Sequence, residues 1–388
     1  MNSLSDLIQQ ARRMQASDIH LESGGRVYFR CDGKVKSQGD VISFDKLRQW
    51  TMDLLGPRYE TLKSERSFDL SEQLGGARCR IHIFYSARGL SYSVRLLAQS
   101  QPTLSGLNLH PHFEKILQLQ NGLVLISGPT GSGKSTTLAA LIHELNVRKS
   151  LNIVTLEQPI EYFHSNQNCL IRQREVGRDT PSFDKGLRDA MREDPDVILV
   201  GELRDRETIQ LTLNAAETGH LVLATLHSSN VSESIQRILS AFPAEIREQS
   251  ADQLAQVLQA VVCQTLTYIP KFDELVPVCE LFFTSIAAKS KIRNGEINAV
   301  PDTYYAATEA GCLTREKYRQ WVESKPKLIK PPRNAPVPAA PAEPLIQERY
   351  EPAVETSKKS SKGSTEGIYT IDDPDDDLWT AIRDLEKK

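Results

Sequence analysis

The sequence predicts an α/β protein: a small α+β domain, then a larger domain built on a mainly parallel sheet, then a disordered extension. Three observations predict it. Short β-rich apolar runs alternate with helical stretches between residues 113 and 325, one of those runs leads into a glycine-rich loop and a helix, and prolines accumulate from Pro326 onward. The 388 residues suit two or three domains, and the 39% hydrophobic content implies that part of the chain lies outside a packed core.

Residues 1–100 form the first expected domain. Leu4, Leu7, Ile8, Ala11 and Met14 recur at helical spacing, and Ser17-Asp18 opens the alternating run Ile19-His20-Leu21-Glu22. Asp32-Gly33, between Arg26-Val27-Tyr28-Phe29-Arg30 and Lys34-Val35, signals a hairpin turn. Leu47, Trp50, Met52, Leu54 and Leu55 predict a second helix that stops at Gly56-Pro57, and residues 79–85 and 90–97 read as paired strands. The polar stretch 98–105 suits a hinge, and we place the linker at 101–112.

In the second domain, residues 113–325, the runs 123–127, 153–156, 197–200 and 221–225 have the apolar continuity of strands covered on both faces. Residues 326–388 form the extension. Pro326, Pro331, Pro332, Pro336, Pro338, Pro341 and Pro344 exclude helices and central strands, and residues 358–367 are small and polar. At its end Leu378, Trp379, Ile382 and Leu385 share a helical face behind an acidic first turn, so this segment reads either as a solvated tail or as a helix that docks on a partner.

Composition excludes several classes. A net charge of -3, from 47 basic and 50 acidic residues, argues against nucleic-acid binding through bulk charge. No run approaches the ~18–20 apolar residues of a membrane span, and the start Met1-Asn2-Ser3-Leu4 lacks the character of a signal peptide. Cys31, Cys79, Cys169, Cys263, Cys279 and Cys312 show no zinc or disulfide spacing, so free buried thiols and a cytoplasmic address are expected.

The chemistry is concentrated at Gly128-Pro129-Thr130-Gly131-Ser132-Gly133-Lys134-Ser135, followed by the helical run from Thr136. This fits GxxxxGK[ST], whose glycines let backbone N–H groups turn toward phosphate oxygens at the positive end of a helix. Lys134 would reach the β- and γ-phosphates and the Ser135 hydroxyl would ligate Mg²⁺. Hydrolysis also needs a base. The run Asp196-Val197-Ile198-Leu199-Val200-Gly201-Glu202 ends in a carboxylate, with Gly201 where an aspartate is usual, so Glu202 is the base candidate. Glu157 and Glu161, and His220 and His227, stand near two further strand ends, and groups at the carboxyl ends of parallel strands converge on the ligand crevice.

Together, these stretches resemble the four boxes of the type II/IV secretion ATPases, in the same order. Supporting stretches are Ala16-Ser17-Asp18-Ile19-His20, Gln173-Arg174-Glu175-Val176-Gly177-Arg178-Asp179, Arg192-Glu193-Asp194-Pro195-Asp196 and Phe242-Pro243-Ala244-Glu245. The likeness is greatest to the pilus-retraction, PilT-like branch. It implies a PAS-like N-terminal domain, a RecA-like ATPase domain and a homohexameric ring that binds ATP and Mg²⁺ and acts on an inner-membrane platform protein of a pilus or secretion machine, recruited peripherally from the cytoplasm.

The resemblance makes Glu202 the catalytic glutamate, places Glu157 and Glu161 in the acidic box, and places His220 and His227 in the histidine box. N-terminal arginines complete such sites, and Arg78, Arg80, Arg88 and Arg95 stand in comparable places, with Arg95 favoured by its position near the hinge. Three departures stand out. Gln158 replaces an acidic-box aspartate, Ala287-Ala288-Lys289-Ser290-Lys291-Ile292-Arg293-Asn294 matches the retraction motif AIRNLIRE only in part, and the extension is no hallmark of the family. The four-cysteine insertion of assembly-type members is missing from the sequence. Four alternatives remain open at this stage: a type IVB secretion or conjugation ATPase, a nucleotide-sensing adaptor with weak hydrolysis, a P-loop kinase, and a nucleic-acid motor.

Overall fold

The computed structural model describes residues 3–31, 33–96, 101–304 and 311–329. Asp32 of the expected hairpin turn, hinge residues 98–100 and the extension from residue 330, including Leu378, Trp379, Ile382 and Leu385, lie outside the described residues.

The first helix, α1 (Leu4–Arg13), starts where the Ser3 hydroxyl accepts from the Asp6 N–H while the Asp6 carboxylate accepts from the Ser3 N–H, so two first-turn donors are satisfied reciprocally. It buries Leu4, Leu7, Ile8 and Ala11. Then come β1 (Asp18–Glu22), β2 (Gly25–Cys31), β3 (Lys34–Ile42), α2 (Phe44–Leu55), α3 (Tyr59–Glu65), β4 (Ser67–Leu74), β5 (Ala77–Ser86) and β6 (Gly89–Leu96). The six strands form one antiparallel sheet in the order β3-β2-β1-β6-β5-β4. Alternation assigns the faces: along β5, Cys79, Ile81 and Ile83 are fully buried, while Arg78 and Arg80 point the other way. The strand β4 and helix α3 have no counterpart among the elements expected from the sequence, because Ser67–Leu74 is polar and its burial is interrupted.

The second sheet carries the phosphate loop. Its elements are β7 (Gly122–Ser127), α4 (Lys134–Arg148), β8 (Asn152–Glu157), β9 (Leu170–Glu175), α5 (Phe183–Ala190), β10 (Val197–Val200), α6 (Arg206–Glu217), β11 (Leu221–Leu226), α7 (Val231–Ser240), α8 (Ala244–Val257), β12 (Leu258–Ile269), β13 (Glu274–Phe283), α9 (Ile286–Arg293) and α10 (Arg315–Ser324). The order is β13-β12-β7-β11-β10-β8-β9, parallel throughout except for antiparallel β13 at one edge. Every residue of β7, β10 and β11 is buried, as expected of strands covered on both faces. Side-chain caps from Ser182, Asp205 and Asn230 start α5, α6 and α7, whereas α4 starts at Gly133 without one. All six cysteines are free and buried. Among the described residues, no helix is long and apolar enough to cross a membrane.

Segments on either side of the second sheet meet at α10. The Tyr318 hydroxyl accepts from the His110 N–H at 2.9 Å, and the Asn108 amide exchanges two hydrogen bonds of 2.9 Å with the backbone of Ile329. The partly matched segment 287–294 forms most of α9, packed on α8 with Ala288 and Ile292 fully buried.

Candidate active site

Leaving β7, the chain turns at Gly128, where φ is +150°. A Cβ there would collide with the carbonyl oxygen of Gln264 and lie 2.7 Å from Ser132 Oγ, so only glycine lets the loop press against β12. Gln264 is the brace. It is 1% exposed, its Nε2 donates to the Ser132 carbonyl at 2.6 Å, and its Oε1 accepts from Thr137 Oγ1 at 2.8 Å. Sequence reading missed Gln264, although an amide directly after the buried apolar run 260–263 was the available signal.

Two features of the loop fit a phosphate. The first-turn N–H groups of α4 have no side-chain cap, and Ser132 Oγ is buried without a hydrogen-bond partner. Lys134 Nζ reaches the lip of the loop, donating to the carbonyls of Gly128 at 2.8 Å and Pro129 at 3.1 Å. Burial lowers the Lys134 pKa, and the Glu202 charge opposes that shift.

The loop opens into a cleft of about 620 Å³. Its walls include residues 130–136, Glu157, Gln158, Glu161, Glu202 and His227, with Arg80 contributed by the first sheet. Thr136 Oγ1 and the Tyr162 hydroxyl, 3.0 Å apart, link α4 to the acidic loop. Glu157 ends β8 and accepts from Thr155 Oγ1 at 2.7 Å and Gln173 Nε2 at 3.1 Å. Burial pushes its carboxyl up to about 7; the two hydrogen bonds oppose this, and the charges of Glu161 and Glu175 add to it.

Glu202 follows β10. Its Oε2 lies 2.7 Å from Arg204 Nη2 and its Oε1 lies 3.3 Å from His227 Nε2. Burial would raise its pKa, but the Arg204 hydrogen bond and charge, with His227 and Lys134, hold it below the ordinary value, so it is ionised at neutral pH. His227 moves the other way: burial and the Lys134 charge lower its pKa against the pull of Glu202, keeping the imidazole neutral.

Gly201 has a packing reason for replacing aspartate. Its N–H donates to the Leu156 carbonyl at 2.8 Å, and a Cβ at 201 would sit 3.0 Å from that oxygen and 3.3 Å from Glu157 Cα. The strand ends β8 and β10 approach closely there, so a side chain at 201 would require the neighbouring backbone to give by a few tenths of an ångström, and the acid stands on the next residue.

The sequence profile described as "Type II/IV secretion system protein" matches residues 1–318. The chain belongs to that family. This type II/IV secretion system protein is 37% identical over 321 residues to the uncharacterized protein YggR of Escherichia coli K12, covering 82% of this chain and 97% of the relative. It is 40% identical over 269 residues to the type IV pilus retraction ATPase PilT of Pseudomonas aeruginosa, covering 68% and 77%. Among solved structures, it superposes on the pilus retraction motor PilT with bound ADP at a TM-score of 0.74 and 34% identity, covering 84% of this chain and 97% of that one.

Within this secretion-family chain, the structure gathers the loop residues, Glu157, Glu161, Glu202, His227 and Arg80 around one cleft, and separates the rest. His220 precedes β11, at the opposite end of the strand from His227. Its Nδ1 lies 2.9 Å from the Ala215 carbonyl and 3.1 Å from Thr218 Oγ1, so it links the end of α6 to the strand rather than lining the cleft. Arg95, favoured from its position, pairs with the buried Asp18 at 2.9 Å. Arg88 lies 3.6 Å from Glu22 beside the β5–β6 turn, and Arg78 is turned to Glu175. None of these three lines the cleft. The alternation of β5 puts Arg78 and Arg80 on one face, and their two-residue offset sends them to different targets.

Proposed function

We propose that this chain is a ring-forming ATPase that hydrolyses ATP to drive retraction of a type IV pilus, working as a homohexamer at the cytoplasmic face of a membrane-embedded platform. The observation that carries the reading is the convergence, in one cleft, of a glycine cradle with Lys134 and an ionised carboxylate, Glu202, paired to Arg204 and His227. Residues 128–136 would hold the phosphates. Glu202 would take the proton of the attacking water, and neutral His227 would orient that carboxylate. Mg²⁺ suits the donor set because the Ser135 hydroxyl and the carboxylates of Glu157 and Glu161 are hard oxygen ligands. When bound, the ion would neutralise phosphate charge. Arg80 is the N-terminal arginine best placed to meet the γ-phosphate.

Retraction is favoured by the likeness, spanning both sheets, to the pilus retraction motor PilT. In the native host, deletion should leave surface pili assembled but unable to shorten, as scored by fluorescence imaging of labelled pili. Normal retraction with loss of effector or DNA transfer would transfer the assignment to a secretion or conjugation ATPase.

The acidic box also has a pH signature. Before the metal binds, burial keeps the Glu157 proton up to about pH 7, so Mg²⁺ uptake, and the turnover that depends on it, should rise with pH through about 7, while Glu202 is already ionised. Glu157→Gln should abolish that limb and lower kcat by about 10²-fold. Linkage has the opposite sign. A raised carboxyl pKa contributes stability below the unfolded value of 4.5, and that contribution is lost as pH rises toward about 7. A pH–rate series on both proteins checks this, and a limb that survives in the Gln variant would assign it to another group.

A further inference from the structure

Two charged residues outside the cleft are as buried as its catalytic groups. The Arg78 side chain, on β5 opposite Gln73 of β4, is 11% exposed, and the Glu175 side chain, at the end of β9, is 7% exposed. Arg78 Nη2 lies 3.7 Å from Glu175 Oε2, and the guanidinium lies 4.2 Å from the centre of the Phe163 ring. Glu175 Oε2 also accepts from the Ile160 N–H at 3.2 Å, inside the acidic loop. Glu175 pairs in register with Glu157, so one step along the ladder joins it to the carboxylate of the cleft. The Phe163 carbonyl in turn accepts from Gln101 Nε2, a linker residue.

We propose that Arg78 and Glu175 are a positioning pair, through which the N-terminal sheet fixes the acidic loop 157–162 beside the phosphate loop. Stability alone is a poor reason to keep such a pair. Desolvating two charges largely offsets their attraction, and Arg78 Nε and Nη2 are buried without hydrogen-bond partners. Burial lowers the Arg78 pKa to about 10 and raises that of Glu175, so both charges are costly to hold there. Geometry is what the pair supplies. One oxygen of Glu175 faces a cation from the first sheet and the loop amide of Ile160, so a shift of the first sheet moves that oxygen and the amide bound to it. From behind, Asp179 Oδ2 accepts from the Glu175 N–H at 2.8 Å and is itself held by Arg178 at 2.9 Å. Glu175 is thus tied to its own sheet through its backbone, and Arg78 is its contact from the first sheet.

The proposal rests on the ATPase reading for its consequence on turnover, but its geometry is measured separately. In the full-length protein, Arg78→Gln and Glu175→Gln should each lower kcat about tenfold, with KM for ATP within about twofold, because misplaced groups cost rate more than binding. The double variant should be no worse than the weaker single one, since the two residues act as a unit. Arg78→Lys keeps the charge and should recover part of the loss, which checks that the Gln variant is not simply misfolded. Hydrogen exchange at the Ile160 amide should quicken in both single variants, with or without turnover. Unchanged exchange, or effects that multiply in the double variant, would overturn the pair. So would a loss confined to Arg78→Gln, which would place the arginine on the nucleotide itself. A wild-type chain without turnover but with the linked exchange change would remove the ATPase reading and leave the pair standing.

Discussion

Replacing Glu202 with glutamine is expected to leave ATP bound and to cut turnover by about 10³-fold. The side chain keeps its shape, and the backbone is held by the Gly201 N–H on the Leu156 carbonyl, so the cleft walls should not move. What disappears is the proton acceptor. The wild-type carboxylate is ionised although burial opposes it, because Arg204, His227 and Lys134 face it. An amide cannot take a proton from water, and it no longer supports the charge on Lys134, whose pKa is held up by Glu202. Phosphate release by the variant, measured beside fluorescent-nucleotide binding, separates the two effects. Turnover within about threefold of wild type, with binding intact, would move the base to Glu157, whose carboxyl is poised near neutrality.

The parts of this site that could be read from the sequence are those whose chemistry dictates local spacing. The phosphate loop is contiguous, and its cradle, helix and lysine are fixed within eight residues, so Gly128 to Ser135 were legible together. Apolar runs with no polar interruption marked β7, β10 and β11, whose ends bring Glu202 and His227 to the cleft. Groups defined only by tertiary contact were not legible. Gln264 lies more than a hundred residues beyond the loop it braces, and Gln173 holds Glu157 from a strand whose polar sequence hides it. The arginines show the limit most clearly. Four stand within 18 residues, yet only the pleat and register of β5 decide that Arg80 reaches the cleft and Arg78 reaches Glu175, and only the β1–β6 register sets Arg95 against Asp18. The two histidines are also separated by tertiary geometry. His220 and His227 flank the six-residue β11, some seven residues of ~3.3 Å rise apart, so they do not line one cleft within a chain.

The same cleft sets the expected cost of losing Lys134. Lys134→Ala should weaken nucleotide binding and lower turnover by about 10³-fold or more, since a charge-assisted bond to phosphate strengthens as the transition state forms. The geometry also forecasts that Lys134→Arg will not rescue it. Nζ sits between the carbonyl oxygens of Gly128 and Pro129, 2.8 and 3.1 Å away, a spacing that suits a compact ammonium with three rotatable donors. A planar guanidinium is bulkier than that slot, and it would push against a loop that already lies against Gln264 with no room for a Cβ at Gly128. Calorimetric titration of both variants with ATP and Mg²⁺, paired with phosphate release, measures the two losses. If Lys134→Ala binds ATP as tightly as wild type and turns it over within about tenfold, the phosphates lie elsewhere and the assignment of the whole loop fails with them. If only Lys134→Arg recovers activity, a positive charge suffices, and the two carbonyls that hold the ammonium are not part of its selection.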